Sequence, residues 1–397
     1  MGEKCGFVGC EYEKFKNSDK CIFHCEKEDW YTTNTDGSKK WNDGLVSEFW
    51  KEIREKKIKN EDYYFSYYIF PEFEEYSGIN NPFNFFTFEK VLDFSNSKFL
   101  GNANFSNIQF KKDVYFTSSI FYEWVDFNLS TFEKTAYLNS INFHNNVFFE
   151  KTKFKEVWNF CYSDFSLSKI VIFEECEFAL NFENIERHQK HFQNVNFPDT
   201  TKIINCDLTN VSFLKSRITD VHFETCKFPK KIQDEIDLEK KISENKTVKA
   251  EDYENVENIY RQLKYNFDEK KSFQQADEFY VREMEMKHER FNLNKGYNWV
   301  NWIISWLYRD ISVYNSSPMR ALLWLSFLIL FFALIYHCGT YGSIAFEYSF
   351  TNAIPFVPTP ENMKLKDGLQ WFGYFQKIIS AGIILLFGLS LRRKFKR

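Results

Sequence analysis

Along residues 83–165, phenylalanine recurs at intervals that alternate between five and six. Phe83, Phe94, Phe105, Phe116, Phe127, Leu138, Phe149 and Phe160 form one series with a period of eleven. Phe88, Phe99, Phe110, Phe121, Phe132, Phe143, Phe154 and Phe165 form a second, five residues behind it. In an α-helix, steps of five and six advance about 500° and 600°, which scatters the aromatics round the whole circumference. In a flat strand, odd spacings alternate between the two faces. A solenoid accommodates the beat, because each short run turns a corner before the next begins and returns one side chain to the interior. An earlier pair, Phe65 and Phe70, opens the series. After Phe165 the register slips to the pairs Phe173/Phe178 and Phe192/Phe197. A pure five-residue beat then carries Ile203, Leu208, Phe213, Ile218, Phe223 and Phe228.

The segments "NANFSNIQFKK", "WVDFNLSTFEK", "TNVSF" and "TDVHF" set small or polar residues ahead of a central Phe. In this they resemble the pentapeptide-repeat family. The resemblance implies a mainly β fold over residues 63–228, a right-handed quadrilateral β-helix with about 21 residues per coil. The eleven-residue form would place an extra residue at alternate corners. Tyr115, Trp124, Val125, Tyr137 and Trp158 are read as standing where the family prefers alanine, so widened coils are expected. Cys206 and Cys226, twenty apart, are expected in one column as small buried residues.

Beyond this stretch the pattern turns helical. Residues 229–292 read as a charged helical hairpin that resembles the tetratricopeptide type. Ile259, Leu263 and Phe267 form the apolar face of its first helix, and Phe273, Ala276 and Tyr280 that of its second. Ser272 and Gln275 have the spacing of a capping box. Glu283, Glu285, His288 and Glu289 offer carboxylate and imidazole ligands. Their alternation with Lys and Arg favours a solvated charged face.

The last third is apolar in blocks. "NWVNWIISWLYRD" places Trp299, Trp302 and Trp306 at helical spacing, so residues 293–320 are expected to form an interfacial amphipathic helix. Residues 321–338 and 371–391 are long and apolar enough for two transmembrane helices. Residues 339–370 form an external or re-entrant loop between them. The basic tail 392–397 holds five Lys or Arg residues, against Lys364 and Lys366 in the loop. The positive-inside rule therefore puts both termini in the cytoplasm of a two-pass protein of a bacterial-type inner membrane. The apolar loop segment "FEYSFTNAIPFV" admits a channel reading in which Glu347 and Asn352 line a pore.

Composition and charge sharpen the N-terminal part. Of nine cysteines in 397 residues, Cys5, Cys10, Cys21 and Cys25 fall in the first 25, together with His24. The opening "MGEKCGFVGCEYEKFK" lacks an apolar core, so a reducing compartment is expected, where clustered cysteines are metal ligands rather than disulfides. Cys5-x4-Cys10 and Cys21-x2-His24 supply two ligand pairs for a structural Zn2+ in a small knot over residues 1–30, with Cys25 as the alternative to His24. Such a segment has too few large apolar residues to fold without metal. Residues 31–62 are expected to form a helical connector.

Residues 63–228 carry 21 acidic and 15 basic side chains, a net of −6. The resemblance also points to relatives that mimic DNA and bind gyrase, but this charge is too mild, and no nucleic-acid partner is expected. No phosphate-binding glycine loop, nucleophile elbow or HExxH motif is present, so no catalysis is expected. The leading expectation is a non-enzymatic, membrane-anchored scaffold that binds the lipid bilayer and a cytosolic protein. The alternative is a homo-oligomeric two-span channel or membrane-permeabilising effector.

Overall fold

The computed structural model describes residues 3–73, 83, 85–179, 191–293, 295–339, 344–354, 357 and 370–395. It divides into two units, Met1–Val248 and Lys249–Arg397. Lys364 and Lys366 of the inter-helix loop and the last two residues of the basic tail lie outside the described residues.

In the first unit, strands of two to four residues stack into four parallel sheets, the longest of six strands. Phe99 pairs with Phe121, Phe121 with Phe143, and Phe110 with Phe132, so a regular coil takes 22 residues. That is two elevens, one residue more than the length expected from the repeat. The later slip is a change in coil length within a continuing stack. Val147 pairs with Val171 after 24 residues, Val171 with Thr201 after 30, and Lys202 with His222 after 20, the length of four pure pentapeptides.

Both Phe series point inward and stack in columns. Phe105 lies on Phe127 at 5.2 Å and 9°, Phe99 on Phe121 at 4.4 Å and 6°, and Phe132 on Phe154 at 4.9 Å and 4°. Such parallel, offset rings combine large apolar burial with favourable quadrupole geometry. The small residues ahead of each aromatic have a separate cause. Asp93, Asn104, Asp126 and Asn159 accept, through Oδ1, the backbone N–H two residues on at 2.7–2.9 Å. These are Asx turns, which steer the chain into the corner. The third residue of that corner is left-handed at Phe85, Asn96, Asn107, Ser118, Leu129, Ser140, Lys151 and Tyr162, with φ of 53–61° every eleven residues. Side chains other than Asn and Asp enter this region at a cost, which stacking on the neighbouring coils offsets.

The alanine-preferring position needs correction. It is held by Leu92, Ala103, Val114, Val125, Ala136, Val147 and Trp158, all buried. Tyr115, Trp124 and Tyr137 are instead half-buried. Tyr115 and Tyr137 stack on each other at 4.6 Å and 7°.

Residues 31–62 are more than a helical connector. Tyr31–Thr33 and Lys39–Trp41 pair as an antiparallel hairpin, and α1 (Asp43–Ile53) follows. Asn42 Oδ1 accepts the Leu45 N–H at 3.2 Å and starts the helix. α1 buries Val46, Phe49, Trp50 and Ile53. Trp50 meets Phe73 edge-on at 4.8 Å and Phe83 at 5.7 Å, closing one end of the aromatic stack. At the other end, Asp234 in the first turn of α2 (Gln233–Ser243) accepts from Ser212 Oγ at 2.5 Å and from the Phe213 N–H at 3.0 Å. Terminal caps of this kind keep a solenoid from exposing its core.

The second unit is helical: α3 (Ala250–Glu269), α4 (Phe273–Leu293), α5 (Lys295–Ser312), α6 (Pro318–Gly339), α7 (Ala345–Ala353) and α8 (Gln370–Phe395). α3 and α4 form the hairpin, with Ile259, Leu263 and Phe267 buried as the pattern predicts. On α4, Ala276 is buried, but Phe279 takes the core place assigned to Tyr280, and Phe273 is half-buried. Ser272 Oγ donates to Gln275 Oε1 at 2.7 Å. α5 exposes Trp299, Ile303, Ile304, Trp306 and Leu307. Trp302 turns away from that face and stacks on His288 at 6.1 Å. Within α6 and α8, Pro318–His337 and Trp371–Phe395 are long and apolar enough to span a membrane.

Candidate functional site

Two short loops bring the N-terminal ligands together. Between Cys5 and Cys10 the chain turns through Gly9, at φ +82°. A side chain at Gly6 would begin 3.1 Å from the Asp19 carbonyl, which accepts the Gly6 N–H at 2.8 Å. From Cys21 the chain makes one helical turn. The N–H groups of His24 and Cys25 both donate to the Cys21 carbonyl, at 3.1 and 2.9 Å. Residues three apart on such a turn share a face, which aims Cys21 and His24 at the same point.

Cys10 Sγ lies 3.7 Å from Cys21 Sγ, and His24 Nδ1 lies 3.2 Å from Cys21 Sγ and 3.8 Å from Cys5 Sγ. All four ligand atoms fall within 4.8 Å of one another, so the group can hold a metal ion. A tetrahedral ion with bonds of about 2.3 Å to sulfur and about 2.1 Å to nitrogen needs edges of about 3.8 Å and about 3.6 Å. The Cys10–Cys21 and Cys5–His24 separations lie within about 0.2 Å of those edges, and Cys21–His24 is about 0.4 Å shorter. Cys25 is outside the group, its Sγ donating to Ile22 O at 3.6 Å.

The surroundings tune the ligands. Burial raises the Cys5 thiol, but N–H donation from Cys21 and Phe7, at 3.1 and 3.4 Å, together with the neighbouring thiols, leaves it below its usual value. Burial pushes Cys21 up to about 12 and raises Cys10 as well. Burial, helped by the charges of Lys27, Lys20 and Lys57, pushes His24 down to about 4. Its imidazole is therefore neutral at pH 7, as ligation requires. The ring stacks on Phe7 at 4.1 Å and 12° and meets Tyr68 edge-on at 5.1 Å. Phe23 stacks on Tyr68 at 4.7 Å, and its carbonyl accepts the Ile69 N–H at 2.9 Å, joining the ligand loop to the first coil.

Lys27 was not singled out by the sequence. It is fully buried, donates to the carbonyls of Ile22 at 3.1 Å and Cys25 at 3.0 Å, and lies over the rings of Trp30 and Phe49. A lysine among charged neighbours reads as solvated, and nothing in its immediate sequence marks the aromatic lid above it.

Among the described residues, Glu283, Glu285, His288 and Glu289 form no metal group. They are not a uniformly solvated face either. Glu283 is buried and accepts from Arg261 Nε at 3.0 Å and Lys264 Nζ at 2.7 Å, and buried His288 Nδ1 lies 3.2 Å from Ser305 Oγ. Of the two pore-lining candidates, Glu347 is exposed on α7, whereas Asn352 is buried with Nδ2 donating to Gly373 O at 3.4 Å.

The fold and its eleven-residue period define a parallel β-solenoid protein followed by helices, two of them long and apolar. The family model described as "Pentapeptide repeats (9 copies)" matches residues 94–141, and that part of the chain is a pentapeptide-repeat segment. No curated protein and no solved structure matches the chain.

Proposed function

We propose that the protein is a non-enzymatic, membrane-anchored scaffold, with its solenoid in the cytosol of a bacterial cell and both termini on that side of the inner membrane. The observation that carries this reading is the pair of apolar helical windows in α6 and α8, of which only 28% and 22% is buried within the protein. An apolar surface of that extent is stable in a bilayer and is a liability in water. The exposed apolar face of α5, directly before the first span, fits a helix lying in the headgroup region. The solenoid interior is filled with stacked phenylalanine, which leaves binding to its outer faces, where a cytosolic protein partner would dock. Those faces carry ladders of alternating charge, such as Lys111–Glu133–Lys155 at 3.5 and 2.9 Å, in keeping with no nucleic-acid role.

The three thiols and one imidazole suit Zn2+, bound by Cys5, Cys10, Cys21 and His24. Four protein ligands leave no open coordination position, so the ion would be structural, clamping the ligand loops to the first coil. A second reading, an oligomeric two-span channel, is favoured by the packing of α7 against both long helices.

Protease added to intact spheroplasts and to inverted membrane vesicles tests the orientation. The solenoid is expected to be cut only in inverted vesicles; cleavage in spheroplasts places it outside and overturns the proposal.

A further inference from the structure

α7 packs well below the ends of the two long helices. Ser349 Oγ donates to Ile329 O at 2.7 Å, and Ile329 lies ten residues before the end of α6 at Gly339. At 1.5 Å per residue, that contact is about 15 Å from the helix end. Gln376, six residues into α8, donates through Nε2 to Ser349 O and Oγ, both at 2.9 Å. Its Oε1 accepts from Tyr336 at 2.9 Å. Ala345 is buried against Phe332 and Tyr336. Ser349 and Gln376 are completely buried, so a satisfied polar network pins α7 between the helices.

The other face of α7 exposes Phe346 and Phe350, and Glu347 is exposed beside them. With α6 and α8 in a bilayer, as proposed above, this face lies at hydrocarbon depth. A carboxylate there is strongly disfavoured unless it meets water or a partner, whereas the two phenylalanines are satisfied by lipid or by another helix alike. Copies of this same helix arranged round a common axis give the carboxylate its water and keep the phenylalanines packed.

We infer that the chain assembles with copies of itself through α7, so that Glu347 from each copy faces a shared water-filled axis and attracts cations. The inference rests on the membrane reading of α6 and α8. It deepens the oligomeric reading given above by placing the interface between copies on the face of α7 that carries Phe346, Glu347 and Phe350.

The test uses the full chain in vesicles of phosphatidylethanolamine and phosphatidylglycerol. Flotation is measured first, then disulfide cross-linking of Glu347→Cys with the wild type as control, then potassium flux. Cross-linked dimers specific to Glu347→Cys, with about tenfold lower flux for Glu347→Gln than for wild type, are expected. Phe350→Cys on the same face is expected to cross-link as well, which covers a Glu347 variant that fails to fold. Vesicle-bound chains that stay monomeric while a membrane-impermeant maleimide labels Cys at position 347 would overturn the assembly and leave the membrane reading standing. Chains that do not float overturn both.

Discussion

Ser163 Oγ donates to the Leu138 carbonyl at 2.7 Å and accepts the Ile141 N–H at 3.0 Å. Leu138 and Ile141 are the first and fourth residues of a corner one coil earlier. The serine therefore closes a turn that elsewhere closes itself, as Ser97 N–H does to Phe94 O at 3.1 Å. Ser130 does the same for Phe105 and Ile108, at 2.5 and 3.3 Å. Thr152, Cys176, Cys206 and Cys226 occupy the equivalent place in later coils. They donate to the carbonyls of Phe149's predecessor Phe127, of Phe149, of Phe173 and of Ile203, at 2.9, 2.9, 3.7 and 3.1 Å. This accounts for buried Cys176 and Cys206 and half-buried Cys226 as weak corner donors.

Ser163→Ala removes both bonds and leaves buried backbone groups short of a partner. A loss of about 1–3 kcal/mol is expected, read as a lower denaturation midpoint of the full chain. Ser163→Thr and Cys176→Ser keep a donor and are expected to be nearly neutral.

Phe116 is completely buried and stacked on Phe94 at 5.0 Å, with Phe105 and Phe127 edge-on at 5.3 and 5.5 Å. Phe116→Ala opens a cavity inside a stack that cannot collapse, at a cost of about 3–5 kcal/mol. Phe116→Leu is expected to lose far less, because Leu138 holds the same column position one coil on. Thermal unfolding of the two variants separates these outcomes.

Metal content distinguishes the four ligands from their neighbour. One equivalent per chain is expected by elemental analysis, lost in Cys10→Ala and Cys21→Ala and kept in Cys25→Ser. Chelation is expected to expose Phe23 and Tyr68, since it removes the ion that would tie the Cys21–His24 turn to Cys5 and Cys10. Tyrosine fluorescence and proteolysis near residue 20 report that change.

Burial pushes Lys27 down to about 8 from an ordinary 10.5. The folded state thus holds this proton less tightly than the unfolded chain does. Its contribution is an unfavourable term, complete below about pH 8 and fading as pH rises toward 10.5, worth about 3 kcal/mol in all. Stability is expected to gain from this group between those two pH values. Lys27→Met, which keeps the packing on Trp30 and Phe49, is expected to flatten that rise in denaturation measured against pH.

The sequence made the aromatic interior legible, because the five-six beat through Phe94, Phe99 and Phe105 fits a corner-turning solenoid and neither a single helix face nor a flat strand. The Cys/His group was legible for a similar reason: tetrahedral metal ligation constrains both residue type and spacing, and Cys5, Cys10, Cys21 and His24 meet that pattern. Longer-range partners were not. The role of Ser163 depends on a carbonyl 25 residues earlier, and the burial of Glu283 depends on Arg261 and Lys264 across a hairpin. Phe279 displaced Tyr280 from the core because helix register was set by Ala276 and Met286, which a short window weighs no more than their neighbours. The position of α7 follows from Ser349 and Gln376, two polar residues that apolar patterning passes over.

Alkaline carbonate extraction of membranes from cells making the full chain tests the membrane-anchored reading most directly. The account predicts that the protein stays in the membrane pellet and is released only by detergent. Release into the carbonate supernatant, with the solenoid still folded, would contradict it.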